Sequence, residues 1–199
     1  MELDPLTIIF IGPQGSGKGT QIELLTKKLE SMPVHRKVVD IQTGRRFRAL
    51  AAKAEGFTEK KIKETLDSGI LQPLFLSVVL WGDAFHHHVD AHCHVLIDGF
   101  PRTVDEARVL ESALSFFGRE HVIIINLETG EDIVRNRMIH RARPDDTPVS
   151  IEARLRWYRE ETLPVLAYYK QRMHTRIITC DGTHSIEGVH AEILRGLDI

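Results

Sequence analysis

The chain predicts an α/β fold, a parallel sheet covered by helices on both faces, and three observations carry that prediction. Apolar strand-like runs alternate with helix-like stretches along the whole sequence, the pattern of βα units that build a parallel sheet. The run Val122-Ile123-Ile124-Ile125 has no polar alternation, as a central strand buried on both faces requires. A glycine-rich stretch separates the first apolar run from the first helical pattern, where a strand, turn and helix meet.

Taken in order, strands are expected at 6–11, 37–41, 94–98, 121–127 and 175–180. Helices are expected at 18–31, 45–55, 59–68, 74–90, 103–117, 130–141, 150–171 and 186–196. The first strand is Leu6-Thr7-Ile8-Ile9-Phe10-Ile11, and a helical pattern follows from Gln21 to Leu29. Pro33 and Pro73 mark turns, and Thr103 and Ser185 stand where an N-cap belongs. Ile151, Leu155, Tyr158 and Thr162 recur at helical spacing and are read as core. Pro164 lacks an N–H, so it should kink that helix or end its first half.

The whole chain adds limits. Its 199 residues suffice for one domain with a substantial core. Its net charge of −2 gives no global field for nucleic acid or an anionic membrane. The apolar run from Phe75 to Phe85 is interrupted by Trp81-Gly82-Asp83 and is too short to span a bilayer. Met1-Glu2-Leu3-Asp4-Pro5 has no basic region, so no signal peptide is expected. Cys93 and Cys180 make no disulfide framework. They are expected to stay reduced in a cytoplasm.

Chemistry enters with Gly12-Pro13-Gln14-Gly15-Ser16-Gly17-Lys18-Gly19-Thr20. Between a strand and a helix, such a loop turns successive backbone N–H groups inward onto phosphate oxygens. The helix N-terminus adds partial positive charge. Lys18 supplies a full charge to the β- and γ-phosphates, and Thr20 supplies a hydroxyl within reach of magnesium. The stretch predicts a nucleoside triphosphate site at the carboxyl ends of the strands. A second motif, Val95-Leu96-Ile97-Asp98-Gly99-Phe100-Pro101-Arg102-Thr103, leaves a strand at the same edge. Asp98 is suited to hold magnesium through water. Arg102 has the planar fork suited to phosphate.

Together the two motifs resemble the adenylate kinase family of nucleoside monophosphate kinases, over nearly the whole chain from about Leu6 to about Leu197. The resemblance implies a three-layer P-loop fold, with a five-stranded parallel sheet flanked by helices. It implies a single kinase domain over 1–199, a monophosphate-binding segment at 42–73 and a minimal lid at 137–149. Gly15, Ser16, Gly17, Lys18, Gly19 and Thr20 would cradle ATP, with Arg137, Arg141 and His184 beside it. Thr43, Arg48, Ile70, Leu71, Gln72, Gly99, Arg102 and Glu106 would hold the monophosphate. Lys18, Arg102, Arg137, Arg143 and Arg154 would surround the moving phosphoryl group, Arg143 and Arg154 also touching the monophosphate. Asp145 and Asp146 would hold the lid. The implied activity is reversible transfer from MgATP to AMP, in a cytoplasmic monomer. Two rivals stay open: a UMP/CMP or GMP kinase, and a degenerate, non-catalytic nucleotide-binding module. The intact lysine, acid and arginine set argues against the module.

The phosphate logic has independent support. Seven arginines and only three acids lie between positions 135 and 159, with no lysine. Such an excess on a near-neutral chain asks for an anion.

Three residues or regions depart from the family pattern. The lid is minimal: Ala142 alone separates Arg141 from Arg143. The four cysteines of long-lid members are absent, so no structural zinc is expected there. Weak shielding predicts some wasteful ATP hydrolysis or an oligomer that covers the site. Glu106 stands where the family pattern has an adenine-reading glutamine. An ionised carboxylate only accepts hydrogen bonds, so Glu106 either selects another base or is a solvated helix residue beside a base read by backbone. Arg45 replaces an acid, which adds charge near the monophosphate phosphate or faces solvent.

Finally, residues 86–94 hold five histidines and a cysteine. His88 and His92 are four apart, a chelating spacing if the helix persists that far. A solvated surface run is the favoured reading.

Overall fold

The computed structural model describes residues 3–53 and 55–199. The leader reading that rests on Met1 and Glu2, and the part of the expected 45–55 helix at residue 54, lie outside the described residues. Five strands, β1 (Thr7–Ile11), β2 (Val38–Gln42), β3 (His94–Asp98), β4 (Val122–Glu128) and β5 (Thr175–Asp181), form one sheet in the order β2-β3-β1-β4-β5. Every neighbouring pair is parallel. All five coincide with expected strands to within one residue at either end.

Alternation along the central strand splits the core into two layers. Ile9 and Ile11 point to one face, where they join Val95, Ile97, Ile124, Trp81, Phe85, Leu110 and Tyr169. Of these, Val95, Ile97 and Ile124 belong to the neighbouring strands, and the helical partners come from α4 (Leu74–His88), α5 (Val104–Phe116) and α8 (Leu163–Lys170). Ile8 and Phe10 point to the other face, against Ile22, Leu25 and Leu29 of α1 (Lys18–Glu30) and Val189 and Ile193 of α9 (Ile186–Leu197). Strand side chains of period two thus face two helical layers, which is why β1 carries no polar position over Ile8 to Ile11.

Two smaller cores stand apart from the sheet. Phe47, Ala51 and Ile62 pack α2 (Thr43–Lys53) on α3 (Phe57–Asp67). Val134, Met138, Ile151 and Leu155 pack α6 (Glu131–Arg141) on α7 (Pro148–Trp157). Among the described residues no helix is long and apolar enough to cross a membrane.

The expected caps form: the Thr103 hydroxyl accepts from the Glu106 N–H, and the Ser185 hydroxyl from the Gly188 N–H. The third helix begins at Phe57 rather than 59, and three others differ from expectation for local reasons. The second begins at Thr43 rather than 45, because Gln42 of the strand runs into it with no intervening turn. The fourth ends at His88, with Val89 extended, so His88 and His92 do not share a helix. The 150–171 helix is divided. It starts earlier, at Pro148, behind a Thr147–Ser150 capping box, and widens into a π turn over Tyr158–Thr162 before α8 resumes. In that turn the Leu163 N–H bonds to the Tyr158 carbonyl, five residues back. Pro164 has no N–H to continue the ordinary ladder, and its ring crowds the preceding turn. Ile151, Leu155 and Thr162 are buried as expected.

The histidine run is not uniformly solvated. Cys93 and His94 are buried, and His94 Nδ1 accepts the Leu6 N–H at 3.1 Å. Nearby, the guanidinium of buried Arg119 donates to the Thr7 hydroxyl and to the carbonyls of Leu6, Asp90 and Cys93. These contacts clamp the entrances of β1 and β3 together. Burial, then the charges of Arg36 and Arg119, push the His94 pKa down to about 4.

A histidine held neutral in the fold but free to protonate on unfolding removes stability as pH falls through the interval between its folded and unfolded pKa values. Stability is therefore expected to fall between the ordinary histidine value of 6.5 and about 4. His94→Asn, which keeps an acceptor for Leu6, should flatten the slope of urea-unfolding free energy against pH in that interval. An identical slope in variant and parent would show that His94 does not carry it.

Candidate active site

The sheet order places β1 between β3 and β4. Phe10 of β1 lies opposite Asp98 of β3, so the glycine-rich loop and the Asp98-to-Arg102 turn emerge side by side. Gly15 and Gly17 have φ of 88° and 101°, the left-handed region that lets the loop curl back on itself. Helix α1 begins directly at Lys18, so its unpaired N–H groups face the loop's concave side. The buried Lys18 ammonium donates to the carbonyls of Gly12 and Pro13, each at 2.8 Å. Burial brings its pKa down to about 8; Asp98 pulls it upward, while Arg102 and Arg141 push it further down.

Two adjoining cavities open here. The larger, of ≈ 650 Å³, is walled by Gly15, Ser16, Gly17, Lys18, Gly19, Thr20, Asp98, Arg137, Arg141, Arg143 and His184. The smaller, of ≈ 180 Å³, is walled by Thr43, Ile70, Leu71, Gln72, Glu106 and Arg154. Arg48, Gly99 and Arg102 line both. Every residue expected from the sequence to touch a nucleotide therefore lies on one of two connected walls. Arg143 lines the larger cavity and not the smaller.

The charges are unevenly answered. Arg154, buried, donates to Asp145 at 2.6 Å and to Asp146 at 2.7 Å. Arg141 donates to Asp146 through Nε at 2.6 Å and Nη2 at 3.0 Å. Burial would raise the Asp146 pKa, but the hydrogen bond and charge of Arg141, with Arg154, hold it below the usual carboxylate range. Arg137 donates to the Gly182 carbonyl, and the His184 ring lies against Glu192. Arg48 and Arg143 make no ion pair among the described residues, and burial followed by a neighbouring arginine's charge lowers the pKa of each. Like charges crowded this way are relieved by an anion placed between them.

The arginine excess is smaller in space than in sequence. Arg135 pairs with Glu152 and Asp132, and Arg159 with Glu131; Glu131 and Asp132 lie just before the stretch in which the acids were counted. The cavity-lining cations with no carboxylate partner among the described residues are Lys18, Arg48, Arg102, Arg137 and Arg143. Of the two readings of Arg45, the structure agrees with the solvent-facing one. Arg45 pairs with Glu23 at 2.5 Å on the rim of the larger cavity, away from the smaller one.

Glu106 is not a solvated helix residue. It is buried, one oxygen accepting the Arg102 backbone N–H at 2.7 Å and the other the Trp81 indole N–H at 3.3 Å. Sequence reasoning passed over Trp157. Its ring lies 5.0 Å beneath the Arg102 guanidinium, its indole N–H donates to the Gly69 carbonyl at 3.0 Å, and it lines the smaller cavity. The available signal was a tryptophan set among arginines on the polar side of a helix.

One oxygen of Asp98, Oδ1, is buried without a hydrogen-bond partner, at the wall that also carries Thr20. An unpaired carboxylate oxygen beside a hydroxyl fits magnesium, which keeps most of its waters and takes one or two protein ligands. Among the described residues no group of three or more His, Cys, Asp or Glu side chains is placed to hold a metal ion.

The family model described as Adenylate kinase matches residues 10–174. The chain is 36% identical to "Adenylate kinase" of Corynebacterium diphtheriae, over 96% of this chain and 99% of that protein. It is 35% identical to "Adenylate kinase 1" of a Nostoc species, over 94% and 95% respectively. It is 32% identical to "Adenylate kinase" of Kosmotoga olearia, over 97% and 99%.

Two N–H donors on one carboxylate make Glu106 a structural anchor of the cavity wall. Glutamine would turn an NH2 group toward one of them. Glu106→Gln is therefore expected to lower the urea-unfolding free energy by about 1–3 kcal/mol, the cost of an unsatisfied buried donor. Unchanged stability would mean that the carboxylate does not hold both groups.

Proposed function

This chain belongs to the adenylate kinase family, and from that premise we propose how its own residues carry phosphoryl transfer between ATP and AMP. It is a phosphotransferase, and the reaction is ATP + AMP = 2 ADP. The observation that carries the assignment of roles is the junction of the two cavities at Arg48, Gly99 and Arg102. A donor phosphate in the larger cavity and an acceptor phosphate in the smaller one meet there.

On this reading Gly15, Ser16, Gly17, Lys18, Gly19 and Thr20 cradle the donor's phosphates through backbone N–H groups and the Lys18 ammonium. Lys18 leaves the Gly12 and Pro13 carbonyls as it takes up phosphate. Arg137 and Arg141 hold the donor from α6, with His184 beside its base. Arg48 and Arg102 aim the acceptor phosphate in line, while Thr43, Ile70, Leu71, Gln72, Gly99 and Glu106 surround its base. Lys18, Arg102, Arg137, Arg143 and Arg154 neutralise charge as the phosphoryl group moves, so no covalent intermediate on the protein is needed. Thr20 and Asp98 are the residues that would hold magnesium, Asp98 through water, and the ion would supply positive charge to the donor phosphates.

The small core of Phe47, Ala51 and Ile62 supports treating 42–73 as a monophosphate-binding segment, and that of Val134, Met138, Ile151 and Leu155 supports a lid at 137–149. The lid is taken to work without structural zinc. The protein is taken to act as a cytoplasmic monomer whose partners are nucleotides, with neither nucleic acid nor membrane among them.

Two measurements test the reading. In a coupled assay with MgATP, AMP is expected to be phosphorylated at least roughly tenfold faster than GMP, CMP, UMP or dTMP at equal low concentration; equal rates, or a different preferred acceptor, would reject AMP as the substrate. Lys18→Ala is expected to lower kcat by roughly 10²–10³-fold with the far-ultraviolet dichroism unchanged, and near-parent turnover would remove the loop assignment.

A further inference from the structure

We propose that Trp157 is a positioning residue, which holds the phosphate-aiming Arg102 and the loop over the acceptor in one fixed relation. The proposal rests on the reading of Arg102 and the 42–73 segment as the acceptor's holders. Trp157 ends α7, immediately before the π turn. Its ring supports the Arg102 guanidinium from one side at 5.0 Å. The Arg102 Nε donates to the Gly99 carbonyl at 2.8 Å. The two terminal nitrogens make no hydrogen bond within the described chain. A carboxylate in the ring's place would consume those donors and cancel the charge. An aromatic face steadies the cation and spends neither.

The same indole reaches the acceptor-side loop through its N–H bond to the Gly69 carbonyl. Gly69 has φ 68°, and a Cβ there would run into the Ser150 backbone, so the loop sits directly on α7. Arg154, one turn before Trp157 on the same helix face, donates to the Leu66 carbonyl at 3.3 Å. Helix α7 thus grips the 66–69 turn at two carbonyls. Just beyond, the Thr162 hydroxyl of the π turn donates to the Arg102 carbonyl at 3.1 Å. The segment from 154 to 162 therefore holds the acceptor loop, the Arg102 side chain and the Arg102 main chain at once. Plain packing would need only the bulk of Trp157. This arrangement uses its ring face and its N–H separately, and two substitutions separate them.

The experiment is steady-state kinetics on Trp157→Phe and Trp157→Leu, with AMP and MgATP varied in turn. Trp157→Phe keeps a ring and loses the bond to Gly69; its KM for AMP should rise roughly three- to tenfold with kcat nearly unchanged. Trp157→Leu also loses the support of Arg102, and its kcat should fall roughly two- to twentyfold. KM for ATP should stay within about twofold of the parent in both. Parent-like KM for AMP and kcat in both variants would overturn the proposal, as would KM for ATP rising in step with that for AMP. Should Trp157→Leu fail to fold, the parent emission spectrum minus that of Trp157→Phe decides. It isolates Trp157 and should change on titration with AMP alone; no change overturns the proposal. A parent enzyme that does not phosphorylate AMP would end the underlying reading and this inference with it. An active parent with indifferent variants ends this inference alone.

Discussion

Lys18, Arg48, Arg102 and Arg143 crowd around one space, and the organisation of the molecule follows from what it takes to keep them there. Cations brought together away from water repel one another and lose hydration. The chain answers some of the charge internally: Asp145 and Asp146 neutralise Arg154 and Arg141, and the Gly12 and Pro13 carbonyls satisfy the Lys18 ammonium. It leaves the rest unanswered. The sheet makes this affordable, because a core filled on both faces of β1 supplies the stability that an unneutralised site lacks.

Much of the arrangement was legible in the sequence because its two motifs leave strands whose ends must be neighbours in a parallel sheet. Lys18, Asp98 and Arg102 could be brought together on that basis, and Pro164 could be seen to interrupt its helix. Other features were hidden because they depend on contacts between distant residues. The form of the interruption is a π turn whose Thr162 hydroxyl donates to the carbonyl of Arg102, 60 residues away. The stack of Arg102 on Trp157 joins positions 55 residues apart. His94 belonged to a run read as solvated surface, yet it and Arg119 are buried where two strands begin. The count of arginines overstated the unmet charge, since Glu131 reaches across to Arg159 from another helix and Asp132, on the same helix as Arg135, lies just before the counted stretch.

Glu106 shows how one substitution of type can change a residue's task. An amide in a cavity wall offers one donor and one acceptor edge. The carboxylate here offers two acceptor edges, and both are taken by the wall itself, through Arg102 and Trp81. Trp81 in turn stacks on Phe100 at 5.3 Å, so Glu106 connects the helix covering the sheet to the turn that presents Arg102. Glu106 still lines the smaller cavity, and there an ionised carboxylate can accept a hydrogen bond but donate none.

The turn between α6 and α7 has one further consequence. Ala142 ends α6 in the left-handed conformation at φ 48°, and only residues 142–147 lie between the two helices. Both ends of that stretch are already ordered, by the Arg141–Asp146 pair and the Thr147–Ser150 capping box. Each residue that becomes fixed on closure forfeits about 1–2 kcal/mol of conformational entropy, and here few residues are left to forfeit it. In the proposed lid, donor binding therefore surrenders little to ordering. The same brevity leaves less chain to exclude solvent, so the choice between an acceptor phosphate and a water molecule falls to where the arginines aim rather than to a cover over the site.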